Sequence, residues 1–131
     1  MVRVASHGGF VLTPSTAVGI VEYARTMMLA KLEIIPIGTC SPSLSTLLAE
    51  VAKLIDKSGL DYRVGPMGTV VEGDWDRIMV LAKQCHQAVL SSAVRVMTTI
   101  RIDDRKDKPG AGRITQKVAS LEAKVGRPLR K

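Results

Sequence analysis

Six charges of both signs occupy six consecutive positions, Asp103 to Lys108, at the end of the alternating segment TTIRIDDRKDKPG. Two carboxylates share acid–base work only when both face one substrate, and neighbours on a strand project to opposite faces. Asp103 and Asp104 with Arg105 therefore read as ion pairs that end a strand, at a subunit contact or, alternatively, against a ligand. Lys106, Asp107 and Lys108 read as solvated. His86 is the one histidine after residue 30, no Ser/His/Asp set is in evidence, and no GxxxxGK[ST] run cradles a phosphate. Cys40 and Cys85 stand 45 positions apart without a CxxC or a histidine at metal spacing. Both read as small apolar residues in a reducing compartment, and structural zinc is set aside. The expectation is a non-enzymatic protein with no cofactor and no metal.

The chain of 131 residues suffices for one domain with a real core. No apolar run approaches the ~18–20 residues of a membrane span. The first thirty residues carry early basic charge only at Arg3, and His7-Gly8-Gly9 breaks the apolar run that a leader would need. This lacks the pattern of a secretory signal, so a cytoplasmic protein without membrane partners is expected. The net charge of +7 sits almost wholly in residues 104–131, which hold nine basic and three acidic side chains. A dedicated nucleic-acid reader more often spreads positive charge over a groove or sheet face.

The elements that must position these residues can be read from periodicity. Lys31–Ile37 reads as a β-branched strand. Ser41 can cap a helix with Pro42 at its first position, followed by Leu44, Leu47, Leu48, Val51 and Ile55 and ended by Gly59. Asp61–Gly73 reads as two short strands joined around Gly65-Pro66-Met67-Gly68. Asp74 caps a second helix with the stripe Trp75, Ile78, Met79, Ala82, Cys85 and Val89. Then comes the alternating strand, and finally a helix carrying Ile114, Val118, Leu121 and Val125, stopped by Gly126 and Pro128. The order β-α-β-β-α-β plus a terminal helix predicts an α+β, ferredoxin-like sandwich with both main helices on one sheet face. Ile35, Ile37, Met97 and Thr99 then fall on the other face, which another subunit or the terminal helix must cover. The body spans 31–126, with a basic tail at 127–131. Residues 1–30 form an extension, read either as an artefact of the assigned start or as a helical arm from about Ser15.

Three segments, IIPIGTCSPSLS (34–45), GPMGTVVEGDWD (65–76) and VMTTIRIDDRKDKP (96–109), occur in this order with CHQAVL between the last two. Together they resemble a family of small ferredoxin-like proteins, once uncharacterised, that is described as thiamine-binding. The likeness runs from about Leu32 to Val125. It implies a non-catalytic protein that forms homodimers or homotetramers and holds thiamine, or its pyrimidine moiety, in a pocket of the fold.

Such a ligand asks for hydrogen-bonding partners at the aminopyrimidine, negative charge or a π face at the thiazolium, and apolar walls. Gly38 and Thr39, at the junction of strand and helix, serve either a ligand or the turn. Ser43 and Ser45 are candidates that helix capping would also explain. Thr69 and Glu72 face opposite sides of their strand. Glu72 is the best single acceptor, or else an exposed carboxylate before the next helix. His86, on the flank of the buried stripe, is a hydrogen-bonded core residue or a ligand group. Thr98 and Thr99 also point apart; on the open face Thr99 would touch ligand and Met97 would form a wall. The aromatics are Phe10, Tyr23, Tyr62 and Trp75 alone, too few in the body for a cation cage, so carboxylate and Met contacts must substitute. Base-stacking aromatics of RNA-recognition sheets are missing from the third and fourth strands, which disfavours specific nucleic-acid binding. A regulatory or structural oligomer with another metabolite or a protein partner is the alternative function.

Overall fold

The computed structural model describes residues 26–41 and 43–131. The helical arm expected from about Ser15 lies outside the described residues up to Arg25, as does the expected helix-starting Pro42. Met28 belongs to a strand: β1 runs Met28–Ile37, three residues earlier than the sequence boundary. Its even positions Met28, Ala30, Leu32 and Ile34 are buried against the helices, which carries the β period back through the double methionine.

After β1 come α1 (Ser45–Lys57), β2 (Asp61–Gly65), β3 (Gly68–Gly73), α2 (Trp75–Leu90), β4 (Arg95–Asp103) and α3 (Arg113–Val125). The sheet order is β2-β3-β1-β4 and every neighbouring pair is antiparallel. This is the ferredoxin-like arrangement. Val51 and Ile55 of α1, and Ile78, Leu81, Ala82, Cys85 and Val89 of α2, close the core over one sheet face. Leu81 was absent from the expected stripe, whereas Trp75, which was in it, is the first residue of α2 and exposed.

The Asp74 carboxylate accepts from the Arg77 N–H at 2.9 Å and caps α2 as expected. The first helix starts differently. It begins at Ser45 with Leu44 at the N-cap position and no side-chain cap. Ser41 instead accepts from the Ser43 N–H at 3.2 Å in a local turn, so it holds the loop rather than the helix. Gly59 ends α1 in the left-handed region at φ +75°. Cys40 also has positive φ, 59°, and is exposed, whereas Cys85 is buried.

The second sheet face receives α3. Leu29, Val70 and Glu72 point to it, and Ile114 is buried there. Thus the terminal helix covers the end of the open face nearest Glu72 and Asp103, while Ile35 and Met97 at the other end stay half exposed. Among the described residues no helix is long and apolar enough to cross a membrane, and no group of three His, Cys, Asp or Glu could hold a metal ion.

Candidate functional site

Pairing of β1 with β3 ends at Leu32 opposite Thr69, because the chain turns at Gly65-Pro66-Met67-Gly68. β1 continues to Ile37, paired only with β4. Residues 33–37 therefore keep one backbone edge without a strand partner, and the amide groups along it need acceptors and donors from elsewhere. A cleft of about 420 Å³ opens at this edge, between the hairpin turn and α1. That size lies in the range of small-ligand sites.

Its walls are apolar: Ile34 and Ile35 from β1, Leu48 and Val51 from α1, Val64 and Met67 from the hairpin. Two polar side chains interrupt them, the Thr69 hydroxyl and the Glu33 carboxylate. Glu33 pairs with Lys31 at 2.7 Å, and both remain about one-third exposed. The two side chains lie over Gly68. A Cβ there would meet Lys31 Cε at 2.9 Å and Glu33 Cγ at 3.1 Å, and φ is +142°. Only glycine admits this approach without displacing the acid.

The expected site residues fall into three groups. Thr69 lines the cleft, and the loop that carries Gly38 and Thr39 joins β1 to the cleft wall at Leu44, with Ser45 the first residue of α1. The loop's hydroxyls serve one another: Thr39 donates to the Ser41 carbonyl at 3.0 Å, and Ser43 and Ser45 share a bond of 3.2 Å. Gly38 takes φ +82° at an exposed turn. Met97 and Thr99 lie on the open face, cross-strand from Ile35 and Glu33. They are one strand away from the cleft.

Glu72 and His86 sit elsewhere. Glu72 is 5% exposed and accepts from the N–H groups of Gly112 (2.5 Å) and Ile114 (3.0 Å). It caps α3 from 40 residues away, so it is not the exposed carboxylate of the alternative reading. The His86 Nδ1 and the Thr98 hydroxyl share a 2.6 Å hydrogen bond on the helix side of the sheet.

The charged run after β4 is tied down largely as ion pairs. The Asp103 carboxylate meets Arg113 at 3.5 Å and, closer, Lys117, and the Lys117 hydrogen bond holds its pKa below the usual carboxylate range. Arg105 pairs with Asp107, which is therefore more than solvated. Thr69 is the one cleft residue among the expected site residues; Glu33 and Met67, which could serve a cation, escaped the sequence reading. The signal for Glu33 was present: it is the one acid in the strand LEIIPI, but with Lys31 two positions away it looks like a solvated pair.

A family profile described as "Thiamine-binding protein" matches residues 30–122. The chain is 41% identical over 101 residues to a UPF0045 protein of Methanothermobacter thermautotrophicus, covering 76% of this chain and all of that one. It is 38% identical over 87 residues to UPF0045 protein YqgV of Bacillus subtilis, covering 63% of this chain and 84% of that one. The crystal structure of hypothetical protein MJ1052 from Methanocaldococcus jannaschii superposes with a TM-score of 0.67 at 33% identity, over 73% of this chain and 96% of that one. A Thermotoga maritima structure, of a candidate thiamine biosynthesis/salvage protein, has the same fold at a TM-score of 0.62 and 24% identity, over 72% of this chain and 98% of that one. By profile, relatives and fold together, the chain belongs to the thiamine-binding protein family that includes the UPF0045 proteins.

Proposed function

We propose that this is a non-catalytic, cytoplasmic binding protein that takes thiamine, or its pyrimidine moiety, in the hairpin cleft and works as a homodimer or homotetramer. The observation that carries the reading is the cleft of about 420 Å³ where β1 loses its β3 partner, apolar but for Glu33 and Thr69. An aminopyrimidine offers a donor and an acceptor side by side, as a peptide edge does, and the unpaired edge of β1 offers the complement. The Thr69 hydroxyl adds a third partner. The thiazolium cation is served by the Glu33 carboxylate, and Met67 supplies a polarisable wall where no aromatic is present. The family's description as thiamine-binding supports the ligand class. So does the role suggested for the Thermotoga relative.

Half-exposed Ile35 and Met97, cross-strand neighbours, favour a subunit contact at the uncovered end of the open face. They also support the second reading, a regulatory or structural oligomer with another metabolite or a protein partner.

Calorimetric titration of the full chain with thiamine, its pyrimidine and thiazole halves and thiamine diphosphate separates the two. Saturable binding of thiamine, weakened at least tenfold by Glu33→Gln and severalfold by Thr69→Val, is the expected result. The absence of heat with all four compounds, in a protein shown to be folded, removes the thiamine reading and leaves the oligomer.

A further inference from the structure

A second cleft, of about 590 Å³, lies on the open face beneath α3 and the C-terminal segment. Its floor is Leu29 and Val70, and its roof is Ile114, Val118 and Leu121. Strand register sets Arg63, Val70, Lys31 and Arg101 side by side in one row across all four strands. Lys31 and Arg101 are direct cross-strand neighbours, an arrangement in which like charges oppose pairing. Lys117, Arg130 and Lys131 add cations from the helix and the tail, and Asp103 is the sole carboxylate in the lining.

The acids nearby are already committed. Glu33 holds Lys31, Glu122 holds Lys131 at 2.8 Å, and Asp103 is shared between Lys117 and Arg113. Arg63 reaches only the Thr115 hydroxyl, at 3.5 Å. The side chains of Arg101 and Arg130 make no hydrogen bond or ion pair among the described residues. Arg113, next to Ile114 and paired with Asp103, is 3% exposed, and its Nη1 has no acceptor among the described residues. Guanidinium groups without a carboxylate partner, on the exposed Arg63, Arg101 and Arg130, therefore border an apolar wall.

We propose that this cleft binds a phosphate monoester with an apolar body. The planar forks of Arg63, Arg101 and Arg130 match phosphate oxygens, and Leu29, Val70 and the α3 side chains receive the body. The charge excludes a bare thiamine cation, so the site is distinct from the hairpin cleft and does not depend on what that cleft binds. A polynucleotide needs an open track with stacking aromatics, whereas this cleft is roofed by a helix and has no aromatic in its lining.

Calorimetry on the full chain with phenyl phosphate, naphthyl phosphate, inorganic phosphate and phenol tests the site. Saturable binding of at least one of the two organic phosphates is expected, at least tenfold tighter than inorganic phosphate, with no heat from phenol. Arg63→Gln and Arg101→Gln each weaken it at least tenfold, whereas Lys83→Gln, at an exposed position of α2 away from both clefts, leaves it unchanged. Both arginines are exposed and without ion-pair partners, and circular dichroism verifies that the variants fold. The proposal is overturned by a lack of saturable binding with either organic phosphate, or by binding that both arginine variants retain. Displacement of the bound phosphate by single-stranded RNA at lower concentration would also overturn it, by assigning the charge to a polynucleotide.

Discussion

Glu72→Ala should detach the terminal helix from the sheet. The carboxylate is 5% exposed and both its oxygens accept backbone N–H groups at the start of α3, from Gly112 and Ile114. A hydrogen bond to a charged group contributes about 1.5–3 kcal/mol, and an acid at a helix N-terminus about 0.3–1 kcal/mol more through the dipole. Removing both bonds also leaves two amides short of acceptors, although water reaches the helix end once the side chain is gone. The expected loss is about 3 kcal/mol, a large part of the ~5–15 kcal/mol available to a domain. With a urea slope of about 1–3 kcal/mol per molar, the unfolding midpoint falls by about 1–3 M. Glu72→Gln keeps one acceptor and the shape, and should lose roughly half as much. Thiamine titrations run in parallel should show little change, because the hairpin cleft lies at the other end of β3. A loss below about 1 kcal/mol for Glu72→Ala would refute the capping argument, as would abolished thiamine binding in a Glu72→Gln protein of unaltered stability.

Gly68→Ala places a Cβ 2.9 Å from Lys31 Cε and 3.1 Å from the Leu32 carbonyl at φ +142°, so a cost of about 1–3 kcal/mol is expected in thermal unfolding, together with displacement of Glu33 and weaker thiamine binding. Burial pushes the Cys85 thiol up to about 11, so at pH 8 only the exposed Cys40 should react rapidly with Ellman's reagent, and Cys85 should follow on unfolding. A folded value above the unfolded one means that this contribution to stability is complete below about pH 9 and fades as pH rises through about 11, which Cys85→Ala should abolish in alkaline unfolding curves. The Asp103 carboxyl is held low, chiefly by its hydrogen bond from Lys117, so its contribution is present above the ordinary aspartate range and is lost as pH falls through the folded value. Hydrogen exchange should therefore show α3 loosening first in acid, and Asp103→Asn should loosen it at neutral pH and flatten that dependence.

The order of elements and the sheet-face assignments were legible because β1 and β4 each alternate cleanly. The register pairs Ile35 with Met97 and Glu33 with Thr99 on the face assigned to them. The hairpin was legible from Gly65-Pro66-Met67-Gly68, whose two-residue turn leaves little freedom. The features that escaped depend on contacts that sequence spacing does not encode. Glu72 is separated from Gly112 by 40 residues, so its burial as a cap is fixed only once α3 lies on the sheet. The start of α1 was misread because Ser41, Ser43 and Ser45 are equally good caps, and their hydroxyls satisfy the loop instead. The hairpin cleft depends on unequal strand lengths: β1 has ten residues and β3 six, and the overhang is visible only when the register is known.

That register also explains how one sheet face can present opposite charge to two clefts. Glu33 and Thr99 form the row nearest the hairpin, Arg63, Lys31 and Arg101 belong to the next row, and Asp61, Glu72 and Asp103 to the one beyond. The last row draws the N-terminus of α3 to itself, through Glu72 at its amides and Asp103 at Arg113 and Lys117. A helix N-terminus is the positive end of the dipole, so this docking is electrostatically favoured. Once anchored there, α3 lays Val118 and Leu121 over the neighbouring basic row. The acids that fix the helix are thereby occupied, and the arginines beneath it are left without a carboxylate partner. Lys31 and Glu33, two residues apart on one strand and joined by an ion pair, mark the boundary between the clefts. A one-residue slip of β1 would turn both charges into the core, so the register that builds the core also fixes the sign of each cleft.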